Sequence, residues 1–598
     1  MNIELEYQKW VKNENLEVNL KQQLEQMSDS EKEDAFYTNL EFGTAGMRGI
    51  MGPGTNRMNI YTIRKANVGF AEYLLENVAD AKAHGVAIAY DSRHNSLEFA
   101  MESAKVLASY GIKAYVFEDV RPTPELSFVV RHLGCAGGIV ITASHNPPAY
   151  NGYKIYDESG CQALPAEGDK VIAGVNAVDD VFAIEVKSEA ELRAAGLIVT
   201  IGAEIDEAYL ARVKDLEINA DVDKQGLRIV FSPLHGTAGM LTRQLMADCG
   251  YENFHVVSEQ AEPDGDFSTV SYPNPEEVTA FEYAIKKGHE IHADILLATD
   301  PDADRMGVAV KVSAGEYVIE TWTATVASTP VFQAADEYVL LTGNQTGALL
   351  TYYILSQRKA NGTLPAKGRV FDTIVSSELA AKIARAYGLE SMSTLTGFKF
   401  IGEQIRLMED TEYEYVFGYE ESYGSLIGDF VRDKDAIQAV LILSEAAAYY
   451  KAQGKTLCDV LDDIYAEFGS YQEDLVNIAL TGKDGSEKIK LLLSEFRAAP
   501  PVEVGNLKVV TVLDYKTSER KDSKTSPTAV RVSSTCLPSA DVLKYILEDG
   551  SWFALRPSGT EPKAKIYMSV VTENKAETAM RMDAIKKDIL AKVDGILG

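Results

Sequence analysis

The chain of 598 residues carries 89 acidic and 58 basic side chains, which gives a formal net charge of −31 at pH 7. With 46% hydrophobic and 25% charged residues, it has the composition of a folded globular protein, which excludes a disordered chain, a collagen-like repeat and a disulfide scaffold. A chain this acidic lacks the basic face that non-specific binding to nucleic acid or to an anionic membrane requires, so any phosphate site needs a local cluster of cations.

The cysteine pattern and the N-terminus indicate a reducing compartment. The five cysteines form no C-x-x-C pair, which argues against a zinc site or a redox motif; they are Cys135, Cys161, Cys249, Cys458 and Cys536. The first 33 residues are charged throughout and lack the apolar core of a signal peptide, and no stretch reaches about 18 uncharged apolar residues. We therefore expect a cytoplasmic protein.

The predicted elements start with helix over about the first forty residues and continue as strand, loop and helix in alternation. Each of several short apolar runs ends in a loop of small or polar residues; these runs are 85–90, 138–141, 227–231 and 294–298. Such alternation predicts α/β units with buried parallel strands. In sheets of this kind, ligands bind at the loops that leave the carboxyl ends of the strands.

The later part of the chain has a different pattern. Residues 436–468 have mostly helical periodicity, and four later strands have few helices between them; these are 507–513, 529–533, 552–555 and 565–571. The pattern predicts an α+β domain at the C-terminus. We place domain boundaries near residues 210, 320 and 472, which divides the chain into 1–210, 211–320, 321–472 and 473–598.

Asp300, Asp302 and Asp304 are the strongest candidates for a metal site. In an extended segment, residues two apart point to the same side, so three carboxylates converge, and a divalent cation relieves their repulsion. An EF-hand loop starts with the same spacing, but it needs Gly and Glu where this chain has Arg305 and Lys311. The alternative is a solvated acidic turn. Arg305 can neutralise a phosphate held at the metal.

Ser144 lies in Thr142-Ala-Ser-His-Asn-Pro-Pro148, at the end of a predicted strand. His145 beside it suggests a hydrolase, yet adjacent side chains rarely form a nucleophile–base pair, and the G-x-S-x-G motif is absent. Taken alone, this segment is more typical of a turn.

Three further loops have the composition of phosphate or sugar sites. Arg556-Pro-Ser-Gly-Thr-Glu-Pro-Lys563 combines a guanidinium, two hydroxyls and a glycine, as a phosphate cradle does. Gly418-Tyr-Glu-Glu-Ser-Tyr-Gly424 offers acceptors for sugar hydroxyls, and Phe42-Gly-Thr-Ala-Gly-Met-Arg-Gly49 is Gly-rich with a single Arg48. Ordinary turns are the alternative for each.

Together these motifs resemble the α-D-phosphohexomutases in sequence, order and spacing, from about Glu41 to the C-terminus. The serine loop with Asn151-Gly-Tyr-Lys154, the D-P-D-A-D-R loop, the E-E-S loop and R-P-S-G-T-E-P carry the resemblance. It implies four domains around a central cleft, three related α/β domains and a smaller C-terminal α+β domain. The first loop and the D-P-D-A-D-R form are most similar to the branch that contains phosphoglucomutases and phosphopentomutases.

The resemblance also implies site residues. Ser144 would be phosphorylated and would ligate one Mg²⁺ per subunit together with Asp300, Asp302 and Asp304. The implied catalytic residues are Ser144, Lys154 as general acid/base, Arg48, His145 and Arg305. The implied substrate-binding residues are Glu420 and Ser422 for the sugar hydroxyls, Lys399 for a phosphate or the sugar, and Arg556, Ser558, Gly559 and Thr560 for the non-transferred phosphate.

The resemblance predicts an intramolecular phosphotransferase that interconverts α-D-glucose 1-phosphate and glucose 6-phosphate, with glucose 1,6-bisphosphate as activator and intermediate. The partners are then small sugar phosphates, and the enzyme would be a monomer or homodimer. Phosphopentomutase is the main rival and phosphomannomutase the next. A phosphoserine-dependent sugar phosphatase and an inactive sugar-phosphate-binding protein are alternatives of other classes.

Overall fold

The computed structural model describes residues 2–43, 46–312, 338–480, 482–522, 530–531, 537–558 and 563–598. It contains three mixed α/β sheets followed by one antiparallel sheet, in chain order. This confirms the predicted fold class, three related α/β domains plus a C-terminal α+β domain.

Helices on both faces cover the first sheet, and three short helices precede it. Its strands are β1 (Gly46–Ile50), β2 (Val86–Tyr90), β3 (Ala114–Phe117), β4 (Gly137–Ile141), β5 (Tyr150–Tyr156) and β6 (Ile198–Ile201). The helices are α1 (Ile3–Val11), α2 (Val18–Gln26), α3 (Asp29–Phe36), α4 (Ile60–Asn77), α5 (Ala81–His84), α6 (Ser96–Ser109), α7 (Thr123–Leu133), α8 (Pro165–Ala177), α9 (Glu189–Ala194) and α10 (Ala203–Lys214). The strand order is β1-β5-β4-β2-β3-β6, with β1 and β5 antiparallel to their neighbours. Helices α1–α3 pack around the buried Trp10 and Phe36, as the helical prediction for this region requires.

The second sheet has five strands in the order β11-β10-β9-β7-β8. They are β7 (Ile229–Ser232), β8 (Phe254–Val256), β9 (Ile295–Thr299), β10 (Met306–Lys311) and β11 (Tyr338–Leu340), with helices α11 (Ala238–Asp248) and α12 (Glu282–Ile291). Strand β9 is buried along its whole length, as expected for a central parallel strand.

The third sheet has the order β13-β12-β14-β15. Its strands are β12 (Gly368–Thr373), β13 (Glu390–Thr394), β14 (Glu414–Tyr419) and β15 (Ser425–Leu426). Its helices are α13 (Gly343–Ala360), α14 (Glu378–Ala386), α15 (Phe398–Met408), α16 (Ala436–Lys451) and α17 (Leu457–Phe468). Helix α16 is buried on almost every side because it packs between the second and third sheets, which explains its largely apolar sequence, interrupted only by Gln438, Ser444 and Glu445 before its last residue.

The fourth sheet is antiparallel throughout and packs against α18 (Gly482–Ala498) and α19 (Lys575–Leu597). Its strands are β16 (Ser470–Ala479), β17 (Glu503–Val504), β18 (Leu507–Asp514), β19 (Glu519–Asp522), β20 (Val530–Arg531), β21 (Leu543–Leu547), β22 (Trp552–Pro557) and β23 (Lys563–Thr572). The sequence did not predict β16, because its polar residues hide the alternation of an edge strand. Most of the predicted strand 529–533 lies outside the described residues.

Each α/β sheet repeats one local arrangement that the alternation of strand and helix did not predict. Strands β4, β9 and β14 pair in parallel with an inner neighbour, and each then turns through a polar loop into an antiparallel strand. Each of the three loops therefore starts at the carboxyl end of a parallel strand and leads directly into the next strand, without an intervening helix. Among the described helices, none is long and apolar enough to cross a membrane.

Candidate functional site

Ser144 lies just after β4, in a backbone conformation that its neighbours impose. Its φ of 53° is in the left-handed region, which costs energy for a residue other than glycine. The hydroxyl of Thr142 accepts a hydrogen bond from the Ser144 N–H at 2.8 Å, and the Ser144 Oγ lies 3.1 Å from Nδ1 of His145. Burial, with the nearby charges of Arg305 and Arg48, holds the pKa of His145 well below its ordinary value. The imidazole is therefore neutral beside the serine.

The aspartate loop follows β9 and meets the serine loop directly. The Ser144 hydroxyl donates to Oδ2 of Asp300 at 2.8 Å, which joins the first two sheets. The other oxygen of Asp300 accepts from the backbone N–H groups of Asp304 and Arg305, and Ala303 adopts a φ of 55° that closes the loop. One oxygen from each of the three aspartates lies within 4.8 Å of the other two.

The three buried carboxylates cannot all be ionised without compensation. Burial, and then the charges of Asp302 and Asp304, raise the pKa of Asp300 well above its ordinary value. Burial opposes ionisation of Asp302 too, but the Lys154 ammonium and hydrogen bonds with Asp300 and Lys154 lower its pKa. Unequal pKa values of this kind are what close carboxylates produce when they share a site.

The donor set fits a hard divalent cation. Within the described part of the chain, Oδ1 of Asp302 and Oδ1 of Asp304 are buried and have no hydrogen-bond partner. Buried carboxylate oxygens without partners are unfavourable, and all-oxygen sites are what Mg²⁺ and Ca²⁺ prefer. Asp300, Asp302 and Asp304 therefore form a group that could hold a divalent metal ion.

Four cationic side chains surround this group. The Lys154 ammonium lies 3.0 Å from Oδ2 of Asp302, and the Lys434 ammonium lies 3.1 Å from Oδ2 of Asp304. Arg305 pairs with Oε1 of Glu276 at 2.6 Å, and Arg48 donates to the side chain of Asn146 in the serine loop at 2.8 Å. The acidic chain thus carries a local cationic cluster, which a phosphate site requires.

The third sheet contributes the loop between β14 and β15. Glu420 is buried and accepts the N–H of Gly397 at 2.7 Å, while burial raises its pKa. Ser422 is half-buried in the same turn. Lys399 lies in the first turn of α15, two residues after Gly397, and burial lowers its pKa. The E-E-S loop and the segment 396–400 are therefore adjacent.

The fourth sheet faces the cleft with the hairpin of β22 and β23. Arg556 is directly opposite Lys565 in this hairpin and hydrogen-bonds Tyr567. The Lys565 ammonium interacts electrostatically with Glu276 and Glu421, which belong to the second and third sheets. The Ser558 N–H donates to the carbonyl of Lys563 at 2.8 Å. The predicted phosphate ligands Gly559 and Thr560 lie outside the described residues.

Several residues at the site were not predicted from the sequence. Lys434, Glu276 and Lys565 occur in no recognised motif, and only the packing of the four sheets brings them to the cleft. Arg93 follows β2 in Asp91-Ser-Arg93, a segment that the sequence marked only as the end of a strand. Its position after an apolar strand was the one available signal.

Comparison with known proteins agrees with the fold and the site. Four family models match in order, described as phosphoglucomutase/phosphomannomutase alpha/beta/alpha domain I (residues 39–181), domain II (207–314), domain III (342–468) and C-terminal domain (502–587). A phosphoglucomutase from Staphylococcus epidermidis is 37% identical over 543 residues, which is 91% of this chain and 93% of that protein. One from Staphylococcus aureus is 36% identical over 579 residues, covering 96% and 97%.

A solved structure gives the same fold. The open form of parafusin, a phosphoglucomutase from Paramecium, aligns with a TM-score of 0.64 at 18% identity, over 93% of this chain and 95% of that one. The chain belongs to the phosphoglucomutase/phosphomannomutase family and is a phosphotransferase of the isomerase class.

Proposed function

We propose that this protein is a phosphoglucomutase that interconverts α-D-glucose 1-phosphate and glucose 6-phosphate through phosphorylated Ser144. The observation that carries the proposal is the contact between the Ser144 Oγ and Asp300 at 2.8 Å, beside two buried carboxylate oxygens that have no hydrogen-bond partner among the described residues. A phosphate ester on this serine would lie next to a divalent cation bound by the aspartates. The near full-length relatives named phosphoglucomutase support the same substrate.

In the first half of the reaction, a hydroxyl of the sugar phosphate attacks the phosphorus of phospho-Ser144. The bond between phosphorus and Ser144 Oγ breaks as the bond to the sugar oxygen forms, and the serine oxygen takes up a proton from water, which yields free serine and glucose 1,6-bisphosphate. Lys154, acting as general base, accepts the proton of the attacking hydroxyl. In the second half the bisphosphate presents its other phosphate and Ser144 attacks it as the serine proton passes to water, while Lys154 returns its proton to the departing sugar oxygen.

The surrounding charges serve the transferred phosphoryl group. Arg305 is held by Glu276 at 2.6 Å and would stabilise the negative charge on this group, with Arg48 beside it. His145, neutral because it is buried among cations, can donate its Nδ1 proton to the oxygen of the free serine, whose own hydroxyl donates to Asp300. When bound, Mg²⁺ would be held by the aspartates and a phosphoserine oxygen, where it neutralises phosphate charge.

Recognition of the rest of the substrate uses the third and fourth sheets. Glu420 would accept hydrogen bonds from the sugar hydroxyls, and Ser422 would donate to them or accept from them. Lys399 would lie adjacent. Arg556 and Ser558, together with Gly559 and Thr560, would hold the phosphate that is not transferred. Because a phosphate is recognised without regard to the sugar carbon that carries it, the same loop would serve both orientations of the bisphosphate. We also propose that the enzyme acts in the cytoplasm, as a monomer or homodimer.

The test is coupled turnover of glucose 1-phosphate and ribose 1-phosphate, each with Mg²⁺ and the matching bisphosphate, for the wild type, Ser144→Ala and Ser159→Ala. Ser159 belongs to the same domain but bonds Asp157 instead of the aspartate triad, so its variant is the matched control. We expect the wild type and Ser159→Ala to turn over glucose 1-phosphate, and Ser144→Ala to be inactive. Preference for ribose would identify a phosphopentomutase, release of inorganic phosphate would identify a phosphatase, and an active Ser144→Ala would refute the phosphoserine.

A further inference from the structure

Arg93 is one of the most enclosed charged side chains of the first domain, and it points at the backbone of the serine loop. Its side chain is fully buried, as is that of Asp91, whose Oδ2 lies 3.2 Å from the Arg93 Nε. Burial of a guanidinium costs free energy unless its N–H groups form hydrogen bonds, so the acceptors of Arg93 indicate its role.

Four of those partners are carbonyl oxygens of a single seven-residue segment. Nη2 donates to the carbonyls of Ser144 at 2.6 Å and Asn146 at 2.5 Å, and Nη1 donates to those of Pro147 at 2.9 Å and Tyr150 at 3.0 Å. A planar fork of donors fixes the direction of all four acceptors at once, which an ammonium cannot do. The serine loop is therefore wrapped around one guanidinium.

The loop needs this support because of the conformation that it adopts. Ser144 has a φ of 53°, and such strain persists only where the surroundings enforce it. The same segment includes Asn146, whose side-chain oxygen receives Arg48 at 2.8 Å. Displacement of the loop would thus move the serine hydroxyl relative to Asp300 and move Arg48 as well.

Arg93 also receives a contact from the second domain. The ring of Phe267 lies 4.9 Å from the guanidinium carbon, and Asp266 lies 2.7 Å from His94. Phe267 is itself buried with a φ of 48°. The guanidinium therefore lies between the serine loop of the first sheet and the domain that carries the aspartates.

We propose that Arg93 is a positioning residue for phosphoryl transfer: it holds the backbone of residues 144–150 so that the serine oxygen faces the aspartate triad. The proposal rests on the function proposed above, since it supposes that Ser144 carries the phosphoryl group. Arg93 touches neither the substrate nor the transferred group, so its loss should slow the chemical step more than it weakens substrate binding.

The test is Arg93→Lys, which keeps the charge and loses the fork. We expect kcat to fall about 100-fold, because a displacement of roughly 1 Å at a reacting atom has this effect, while KM stays within about threefold. Arg57→Lys is the matched control, because the buried Arg57 also donates to backbone carbonyls and to an aspartate, Asp34, but does not contact the serine loop. Its kcat should equal that of the wild type even if its melting temperature falls.

A second measurement separates positioning from folding. The dephosphorylated enzyme is incubated with glucose 1,6-bisphosphate, and the rate at which Ser144 gains phosphate is followed by mass spectrometry. When the wild type and Arg93→Lys are compared at the same fraction of folded protein, we expect the rate of Ser144 phosphorylation to fall by the same factor as kcat. If Arg93→Lys does not fold, Asp91→Asn replaces it, since it keeps the guanidinium but releases its orientation, with an expected loss of about tenfold.

A wild-type rate of Ser144 phosphorylation in these variants would overturn the positioning role and leave the proposed function intact. A rise in KM with kcat unchanged would also overturn the positioning role. If the wild type never gains phosphate on Ser144, the proposed function and this inference fail together.

Discussion

The half of the cleft formed by the first two sheets is assembled differently from the half formed by the third and fourth. In the first half, direct hydrogen bonds join the domains at the reacting atoms. The Asp302 carboxylate accepts a hydrogen bond from the Lys154 ammonium at 3.0 Å, and the Asp302 backbone carbonyl accepts one from the N–H of Thr123 at 2.9 Å. The Asp300 carboxylate accepts one from the Ser144 hydroxyl at 2.8 Å. The groups that would do chemistry are thus in place before a substrate arrives.

In the second half, Lys434 of the third domain contacts Asp304 directly at 3.1 Å, whereas the fourth domain meets its neighbours through other charged groups. Lys565 of the fourth sheet interacts with Glu276 and Glu421 through charge, and Lys544 forms a direct contact between the third and fourth domains at the carbonyl of Ile374, at 2.8 Å. The Lys544 ammonium also lies over the ring of Trp552, at 4.0 Å from its centroid. The difference teaches that transfer and recognition are separable here: the first half should determine kcat, and the second half should determine KM.

The largest effect is expected for Asp302→Asn. The change removes a metal ligand and the partner of Lys154, so we expect kcat to fall by about 1,000-fold or more, as for loss of a central electrostatic group. Turnover measured against Mg²⁺ concentration checks this, and the variant should need more Mg²⁺. Asp248→Asn, at the exposed end of α11, is the control and should match the wild type. If Asp302→Asn were fully active at the Mg²⁺ concentration that saturates the wild type, the proposal that the three aspartates bind the metal would be wrong.

The sharpest test of the comparison is Arg305→Gln against Arg556→Gln. Both changes remove one guanidinium from the cleft, but Arg305 belongs to the first half and Arg556 to the second. We expect Arg305→Gln to lower kcat about 100-fold, and Arg556→Gln to raise KM about tenfold with kcat within about threefold. Steady-state kinetics with glucose 1-phosphate measures both. Equal loss of kcat in the two variants would mean that the two halves are not separable.

The last expected effect is on stability and leaves the kinetics of the cleft unchanged, at Asp372 in β12 near Lys544. Burial raises the pKa of Asp372 to about 7, and its Oδ1 has no hydrogen-bond partner within the described residues. Below about pH 4 both the folded and unfolded states hold the proton; between about pH 4 and 7 only the unfolded state loses it, so stability falls as pH rises. Asp372→Asn should remove this fall, gaining at most about 4 kcal/mol above pH 7.

Urea unfolding of the wild type and Asp372→Asn at pH 5 and pH 8 measures this difference. Asp522→Asn is the opposite control, because hydrogen bonds from Arg520 and Thr511 lower the pKa of Asp522. Its carboxylate is ionised in both the folded and the unfolded state at pH 5 and above, so Asp522→Asn should be destabilised by the same amount at pH 5 and at pH 8. A gain for Asp372→Asn that does not depend on pH would show that ionisation is not the cause.

Much of the first half of the cleft could be predicted from the sequence. The D-x-D-x-D spacing after an apolar strand is a local pattern that marked the three carboxylates, although they converge because the loop turns at Ala303 and not because the segment is extended. Ser144 was ambiguous as a local segment and became a candidate only in combination with the other motifs. The structure resolves part of this ambiguity, since the serine hydroxyl contacts Asp300 from a different sheet.

The second half shows where prediction from sequence ended. Lys434 and Lys565 occur in no motif, and β16 has the polar residues of an edge strand, so nothing local distinguished them. The same holds for Arg93, whose four acceptors lie more than fifty residues along the chain.

By itself, the sequence determined the alternation of strands and helices, the acidic triad and the order of the four loops, because each depends on residues close together in the chain. Only the tertiary structure decided which cations compensate those acids, which strands turn back as hairpins and which buried arginine supports the serine loop. Those outcomes depend on burial and on distances between separate sheets, and both arise only when the sheets pack.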